Sequence, residues 1–137
     1  MSALNLTQAN AILNATLAVG GTNTVGATTS MKLRLTTTAP TGSSSGTELS
    51  ATGYTAGGTA IAFASASAGS TAGPTGSAIS WTNSSGSSWT GIVGLTLWDT
   101  AGTPVWWYYG TWSGQPIVIA AGNSFQVAVS ACSVSLQ

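Results

Sequence analysis

Apolar and polar residues alternate with two different periods along this chain, and the period changes close to residue 30. Before that point apolar side chains recur every three or four residues, as on one face of an amphipathic helix: Ala9, Ile12, Leu13 and Leu17. Thr7 stands at a suitable N-cap position, and Gly20 with Gly21 ends the pattern. The spacing therefore predicts one helix over residues 6–19.

From Met31 onward the period is two. Leu33 and Leu35 alternate with Lys32 and Arg34, which is the pattern of a strand with one buried and one solvated face. We expect both basic side chains on the solvated face. Short apolar or aromatic runs, separated by clusters of Gly, Pro, Asn and Ser, predict further strands over 59–65, 78–82, 92–98, 105–111, 117–119, 125–130 and 133–136.

Short strands at this spacing predict an all-β fold. We expect an antiparallel β-sandwich, jelly-roll or immunoglobulin-like, of about eight strands with one N-terminal α-helix. The predicted organisation is an arm of helix and linker over residues 1–30, followed by one domain over 31–137. The helix either docks on a neighbouring molecule or packs across the open end of its own domain. Segments 41–50 and 66–76 are almost entirely Ser, Thr, Ala and Gly, and we expect exposed loops there.

Charge is scarce: the chain has two basic side chains, two acidic ones and no histidine. A nucleophilic triad needs a base, which is most often histidine. A glycosidase needs two carboxylates, and Glu48 and Asp99 fall in different predicted loops. We interpret Glu48 as a solvated loop residue and Asp99 as the first residue of a turn over 99–102. The composition therefore predicts no enzyme, no metal site and no cofactor.

The same composition narrows the choice of partners. Lys32 and Arg34 are too few for phosphate recognition, so we expect no nucleic acid partner. No apolar run approaches the ~20 residues of a spanning helix, and the N-terminus lacks the basic start of a signal peptide, so we expect no membrane partner. A neutral surface gives little repulsion between copies, which favours self-association. Cys132 is the lone cysteine, and its neighbours predict a small buried thiol.

All six tryptophans lie between Trp81 and Trp112, and most of them surround one predicted hairpin. Strict alternation puts Trp106 and Tyr108 on one face and Trp107 and Tyr109 on the other, so both faces are aromatic. Tryptophan and tyrosine are enriched at interface centres, although sugar stacking on tryptophan is an alternative. The predicted contact residues are those of the hairpin, with the helix as a second contact: Trp106, Trp107, Tyr108, Tyr109, Trp112, Ile12, Leu13 and Leu17.

Several short motifs are spread over the C-terminal two-thirds of the chain. They are Glu48-Leu49-Ser50, Gly53-Tyr54, Ile61-Ala62-Phe63, Ile79-Ser80-Trp81, the run from Val93 to Asp99, Trp107-Tyr108-Tyr109-Gly110 and the run from Ala121 to Phe125. On these motifs the chain resembles the small phage virion proteins of the tail fibre and capsid decoration type, as in actinobacteriophages. It departs from them after Tyr54, where residues 55–58 lack the basic residue expected in relatives.

The resemblance implies a β-sandwich module attached to a capsid or a tail. Together with the composition, it leads us to expect a non-enzymatic virion protein, foremost a decoration protein that cements the outer surface of the head. Its expected partners are the major capsid protein and further copies of itself, with a homotrimer favoured. The alternative is a tail fibre or tail-tip module that binds a host surface glycan. The expected location is the virion, at the capsid exterior rather than the tail.

Overall fold

The regular secondary structure of the described residues consists mainly of short antiparallel strands, as the sequence predicts. The computed structural model describes residues 3–9, 12, 30–65, 67–68 and 70–135, with the backbone alone for residues 3, 4 and 135. Its strands are β1 (Ala3–Leu4), β2 (Met31–Thr36), β3 (Thr59–Ile61), β4 (Ser70–Gly73), β5 (Ile79–Thr82), β6 (Trp89–Ile92), β7 (Gly94–Asp99), β8 (Trp106–Thr111), β9 (Ile117–Ile119), β10 (Ser124–Val127) and β11 (Cys132–Ser135). The predicted all-β class is confirmed, whereas a jelly-roll or immunoglobulin-like sandwich stays a prediction.

The largest sheet has five strands in the order β1-β8-β7-β2-β3. Strand β2 lies between β7 and β3 in this sheet, and its residues Leu33 and Leu35 are completely buried on the inner face. The turn into β3 depends on Gly58, whose φ of +78° is costly for any other residue. A Cβ at that position would also lie 2.4 Å from the carbonyl oxygen of Leu33.

Three two-stranded sheets, β10-β5, β11-β4 and β6-β9, contribute to the same core. Trp81 and Trp89 are the largest core side chains, and both are almost fully buried. The indole N–H of Trp89 donates to the carbonyl oxygen of Thr52 at 3.0 Å, and its ring meets that of Tyr54 edge-on. Cys132 is buried in this core as predicted, and burial raises the pKa of its thiol.

Some strands differ from the predicted ones. The run 92–98 is split at Val93, because Ile92 ends β6 and Gly94 begins β7, so the chain passes there from one sheet to another. Strand β4 lies within segment 66–76, where the sequence predicts a loop. That prediction is wrong for β4, because its small residues show no apolar alternation that would indicate a strand. Small residues are required here, since a Cβ on Gly73 would lie 2.8 Å from the carbonyl oxygen of Ala62.

The N-terminal helix begins at residue 6, and residues 6–9 and 12 are helical. Its cap is Asn5 rather than the predicted Thr7, because the side-chain oxygen of Asn5 accepts a hydrogen bond from the backbone N–H of Gln8 at 2.9 Å. Asparagine and threonine are both good N-cap residues, so the choice between them depends on contacts with the sheet. The remainder of the predicted helix, including Leu13 and Leu17, lies outside the described residues.

Candidate functional site

An irregularity in β8 decides where the aromatic side chains of the hairpin lie. Along the β7-β8 pairing Trp98 is opposite Trp106, whereas the next residue of β7, Leu97, is opposite Tyr108. Trp107 is therefore an extra residue in β8, which is the definition of a β-bulge. A bulge interrupts the simple in-and-out alternation of a strand, so the faces must be assigned from the pairing.

The bulge brings Trp106 and Tyr109 to the same face of the sheet. Their ring centroids are 5.9 Å apart, and both side chains are half-buried. Tyr108 lies on the opposite face, where it packs against the core and burial raises the pKa of its phenol. The predicted grouping of Trp106 with Tyr108 is therefore wrong, because it assumes an unbroken strand.

The outer face of the five-stranded sheet, opposite Leu33 and Leu35, carries a group of aromatic and basic side chains. We call this group the outer-face cluster; its members are Lys32, Arg34, Trp98, Trp106 and Tyr109. The guanidinium carbon of Arg34 lies 4.0 Å from the ring centroid of Trp98, which is a cation–π contact. The indole N–H of Trp98 donates to the hydroxyl of Thr96 at 3.0 Å. All five members are half-buried, so the cluster is a surface and not a second core.

Arg34 also forms an ion pair with Glu48, with 3.2 Å between the nitrogen and the carboxylate oxygen. The other oxygen of Glu48 accepts hydrogen bonds from the hydroxyl of Tyr54 at 3.1 Å and from the backbone N–H of Gly57 at 2.8 Å. Burial raises the pKa of the Tyr54 hydroxyl, so it stays a donor. The prediction of a solvated Glu48 is wrong, because segment 48–57 folds back beside β2. Arg34 lies on the outer face as predicted, but it is paired there with Glu48.

The second carboxylate, Asp99, ties the β7-β8 hairpin together and is only 5% exposed. One oxygen accepts from the backbone N–H of Val105 at 2.8 Å and from that of Ala101 at 3.4 Å. The other accepts from the indole N–H of Trp107 at 3.0 Å. Burial raises the pKa of Asp99, but these hydrogen bonds outweigh it and hold the pKa below its usual range. The bulged residue Trp107 therefore stabilises its own hairpin through the hydrogen bond from its indole N–H to Asp99.

These contacts account for most of the charge in the chain. Arg34, Glu48 and Asp99 are each engaged by partners within the fold. Lys32 is the one charged side chain for which the described residues supply no ion-pair or hydrogen-bond partner. Both carboxylates accept hydrogen bonds from structural donors, which is the arrangement of groups that stabilise a fold.

The N-terminal segment occupies the outer edge of β8. Strand β1 pairs with β8 so that Ala3 is opposite Tyr109, and the backbone N–H of Asn5 donates to the carbonyl oxygen of Trp107 at 2.8 Å. The side-chain amide of Asn5 donates to the carbonyl oxygen of Trp106. Asn5 is 1% exposed. We call residues 3–8 the N-terminal clamp.

The other predicted contact residues are dispersed. Trp112 lies beyond the end of β8, where its ring meets that of Phe125 at 5.5 Å and borders a groove of about 350 Å³ between β8 and β10. Ile12 is half-buried in the helical segment. The structure therefore brings Trp106 and Tyr109 together on one surface, and it assigns Trp107, Tyr108 and Trp112 to contacts within the chain. Sequence reasoning missed Asn5 beside this surface. It also did not group Arg34 and Trp98 with Trp106 and Tyr109, since only strand pairing brings them together.

Comparisons with protein-family models, with curated proteins and with solved structures found no match for this chain. Within the described residues, no helix is both long and apolar enough to cross a membrane. The geometry of the outer-face cluster and the composition of the chain are therefore the features from which a function can be inferred.

Proposed function

We propose that this protein is a non-enzymatic virion protein that decorates the outer surface of a phage head and cements it. Its partners on this proposal are the major capsid protein and further copies of itself, as a homotrimer. The observation that carries the proposal is the outer-face cluster, where half-buried Trp98, Trp106 and Tyr109 share one face with Lys32, which has no ion-pair or hydrogen-bond partner among the described residues. Aromatic side chains of this kind are enriched at the centres of protein interfaces.

The electrostatics support a protein surface as the partner. Within the cluster Arg34 is engaged by Glu48 and by the ring of Trp98, so Lys32 is the one charge without a partner among the described residues that docking would desolvate. The formal net charge is zero, so many copies can lie side by side on one particle with little mutual repulsion. A decoration protein must tolerate such crowding.

Cementing follows from binding linkage. A protein that binds the assembled shell but not the separated subunits stabilises the shell by an amount that grows with its occupancy. On this proposal the rigid aromatic groups of the cluster lie across the boundary between neighbouring capsid subunits. Their burial opposes separation, because pulling the subunits apart would expose that apolar area to water again.

A second candidate function is recognition of a host surface glycan by a tail fibre or tail-tip module. Lys32 favours it, because it lies opposite Trp98 in the β2-β7 pairing, so that Trp98 offers a stacking surface and Lys32 a charge for an acidic sugar. Capsid binding is preferred because the cluster lies on an open sheet face without the converging polar groups of a sugar site.

Immunogold labelling of intact virions separates the two candidates. The decoration proposal predicts gold particles over the head at many copies per particle. Label confined to the tail would support the glycan-binding alternative, and unlabelled virions alongside free protein would contradict both. Virions lacking the gene for this chain serve as the control for antibody specificity.

A further inference from the structure

The N-terminal clamp contacts the edge of the sheet in the way that a short peptide ligand contacts its binding site. Its docking bonds go to β8 and to the loop after β2: the backbone N–H of Asn5 reaches Trp107, its side-chain amide reaches Trp106, and the backbone N–H of Leu6 donates to Gly42 at 2.7 Å. Asn5 also caps the following helical turn through Gln8, which is itself buried. This is the addition of a strand to a sheet edge, in which backbone bonds supply affinity and one buried side chain supplies specificity.

The clamp is joined to β2 by a long tether. Between residue 12, which is still helical, and Met31 lie the 18 residues 13–30, which span at most about 60 Å when fully extended. A folded chain of this length has a radius of gyration of about 14 Å. The tether is therefore long enough for the clamp to reach the β8 edge of a second molecule, where it would form the same bonds.

The clamp leaves one apolar side chain exposed beside the outer-face cluster. Leu6 is 59% exposed, although it lies between the buried residues Asn5 and Gln8. The Gly42 loop to which it bonds lies beside the outer-face cluster, since a Cβ on Gly42 would be 3.8 Å from the hydroxyl of Tyr109. An apolar residue left exposed at this junction would be covered if two copies met there.

We propose that the N-terminal clamp is exchanged between copies of this chain, so that the β8 edge of one molecule binds residues 3–8 of another. Exchange between two copies forms a dimer, and exchange passed around a ring closes a trimer. Because the closed and exchanged forms have the same docking bonds, concentration decides between them. A tether of this kind holds its own clamp at an effective concentration on the order of 1 mM, so exchange competes at that protein concentration or among crowded copies. The proposal does not depend on a capsid.

Single-cysteine variants test the exchange in the full chain. Thr7→Cys is made in isotope-labelled protein and Ser43→Cys in unlabelled protein; both positions are exposed and lie next to the Leu6–Gly42 hydrogen bond. The two proteins are mixed, equilibrated at concentrations from about 10 μM to about 1 mM and treated with a short bismaleimide. Mass spectrometry should then find residue 7 of labelled chains linked to residue 43 of unlabelled chains, in amounts that rise steeply towards 1 mM.

Three controls make the result decisive. The double variant Thr7→Cys/Ser43→Cys at low concentration should link within one chain, which establishes that the two positions are close. The natural chain should not link, because Cys132 is buried. Adding Asn5→Ala removes the cap and the bond to Trp106 from the closed and the exchanged form alike, so linkage within the double variant and linkage between chains should fall together. Efficient linkage within the double variant, with none between labelled and unlabelled chains at 1 mM, would overturn the proposal.

Discussion

Replacing Trp106 and Tyr109 together with alanine is expected to weaken binding to undecorated capsids by about 100-fold or more. Aromatic hot spots at interface centres contribute about 2 kcal/mol or more each, and about 1.4 kcal/mol corresponds to a tenfold change in affinity. These two side chains share the outer face and contact each other. Titration of purified capsids with the fluorescently labelled variant measures the loss.

The matched control is Val118→Ala. Val118 is 60% exposed on β9, which belongs to a different sheet, so its truncation removes exposed apolar area away from the cluster. This variant should bind capsids like the natural chain. Circular dichroism and thermal unfolding establish that both variants are folded. Equal losses for the two variants, or full affinity after loss of both aromatic rings, would exclude the outer-face cluster as the contact.

Asp99→Asn is expected to lower the free energy of unfolding by about 1–3 kcal/mol, although it changes the shape of the side chain very little. Asp99 accepts hydrogen bonds on both of its oxygens, from Trp107 on one side and from Val105 and Ala101 on the other. The amide of asparagine, in either orientation, places an NH₂ group against one of these donors. Urea unfolding at neutral pH measures the change.

The variant Trp107→Phe tests whether the hydrogen bond between Trp107 and Asp99 accounts for the stability lost in Asp99→Asn. It keeps an aromatic ring but removes the N–H that donates to Asp99. In this background the penalty for Asp99→Asn should fall by about 1 kcal/mol, since the amide no longer faces the indole donor. Additive effects of the two substitutions would show that the bulged tryptophan does not hold Asp99.

The lowered pKa of Asp99 predicts that the free energy of unfolding decreases at acidic pH. The pKa of Asp99 is lowered in the folded chain from an ordinary value of 3.8, so the unfolded chain takes up protons more readily as the pH falls. The stabilisation is present above that ordinary value and is lost as the pH falls through the folded pKa. The natural chain should therefore lose more stability than Asp99→Asn between about pH 6 and about pH 3. Glu48 is present in both proteins, so their difference reports on Asp99.

Strands with strong alternation are predictable from this sequence, and strands without it are not. β2 alternates Leu33 and Leu35 with basic residues, and the structure has it where the pattern indicates. β4 consists of Ser, Thr, Ala and Gly, which give no apolar period, and its identity as a strand comes from pairing with β11. Local patterns indicate burial, whereas pairing between distant segments also decides which polar stretches become strands.

The sequence indicates which types of residue form the candidate surface, but it does not indicate how they are grouped on the sheet. The concentration of tryptophan directs attention to the hairpin, yet the bulge at Trp107 regroups its side chains, and a bulge depends on how two strands pair. The contact between Arg34 and Trp98 and the ion pair with Glu48 likewise join residues far apart in the chain. Asn5 was overlooked because a single asparagine in a Ser- and Thr-rich segment carries no distinctive signal.

The resistance of capsids to heat tests the proposed cementing role most directly. Undecorated capsids are mixed with increasing amounts of the purified protein, and the temperature of shell rupture is followed by scattering and by release of a packaged dye. The rupture temperature should rise with bound protein and level off when the sites are full. Binding without any rise in rupture temperature, or no binding at all, would contradict a cementing function.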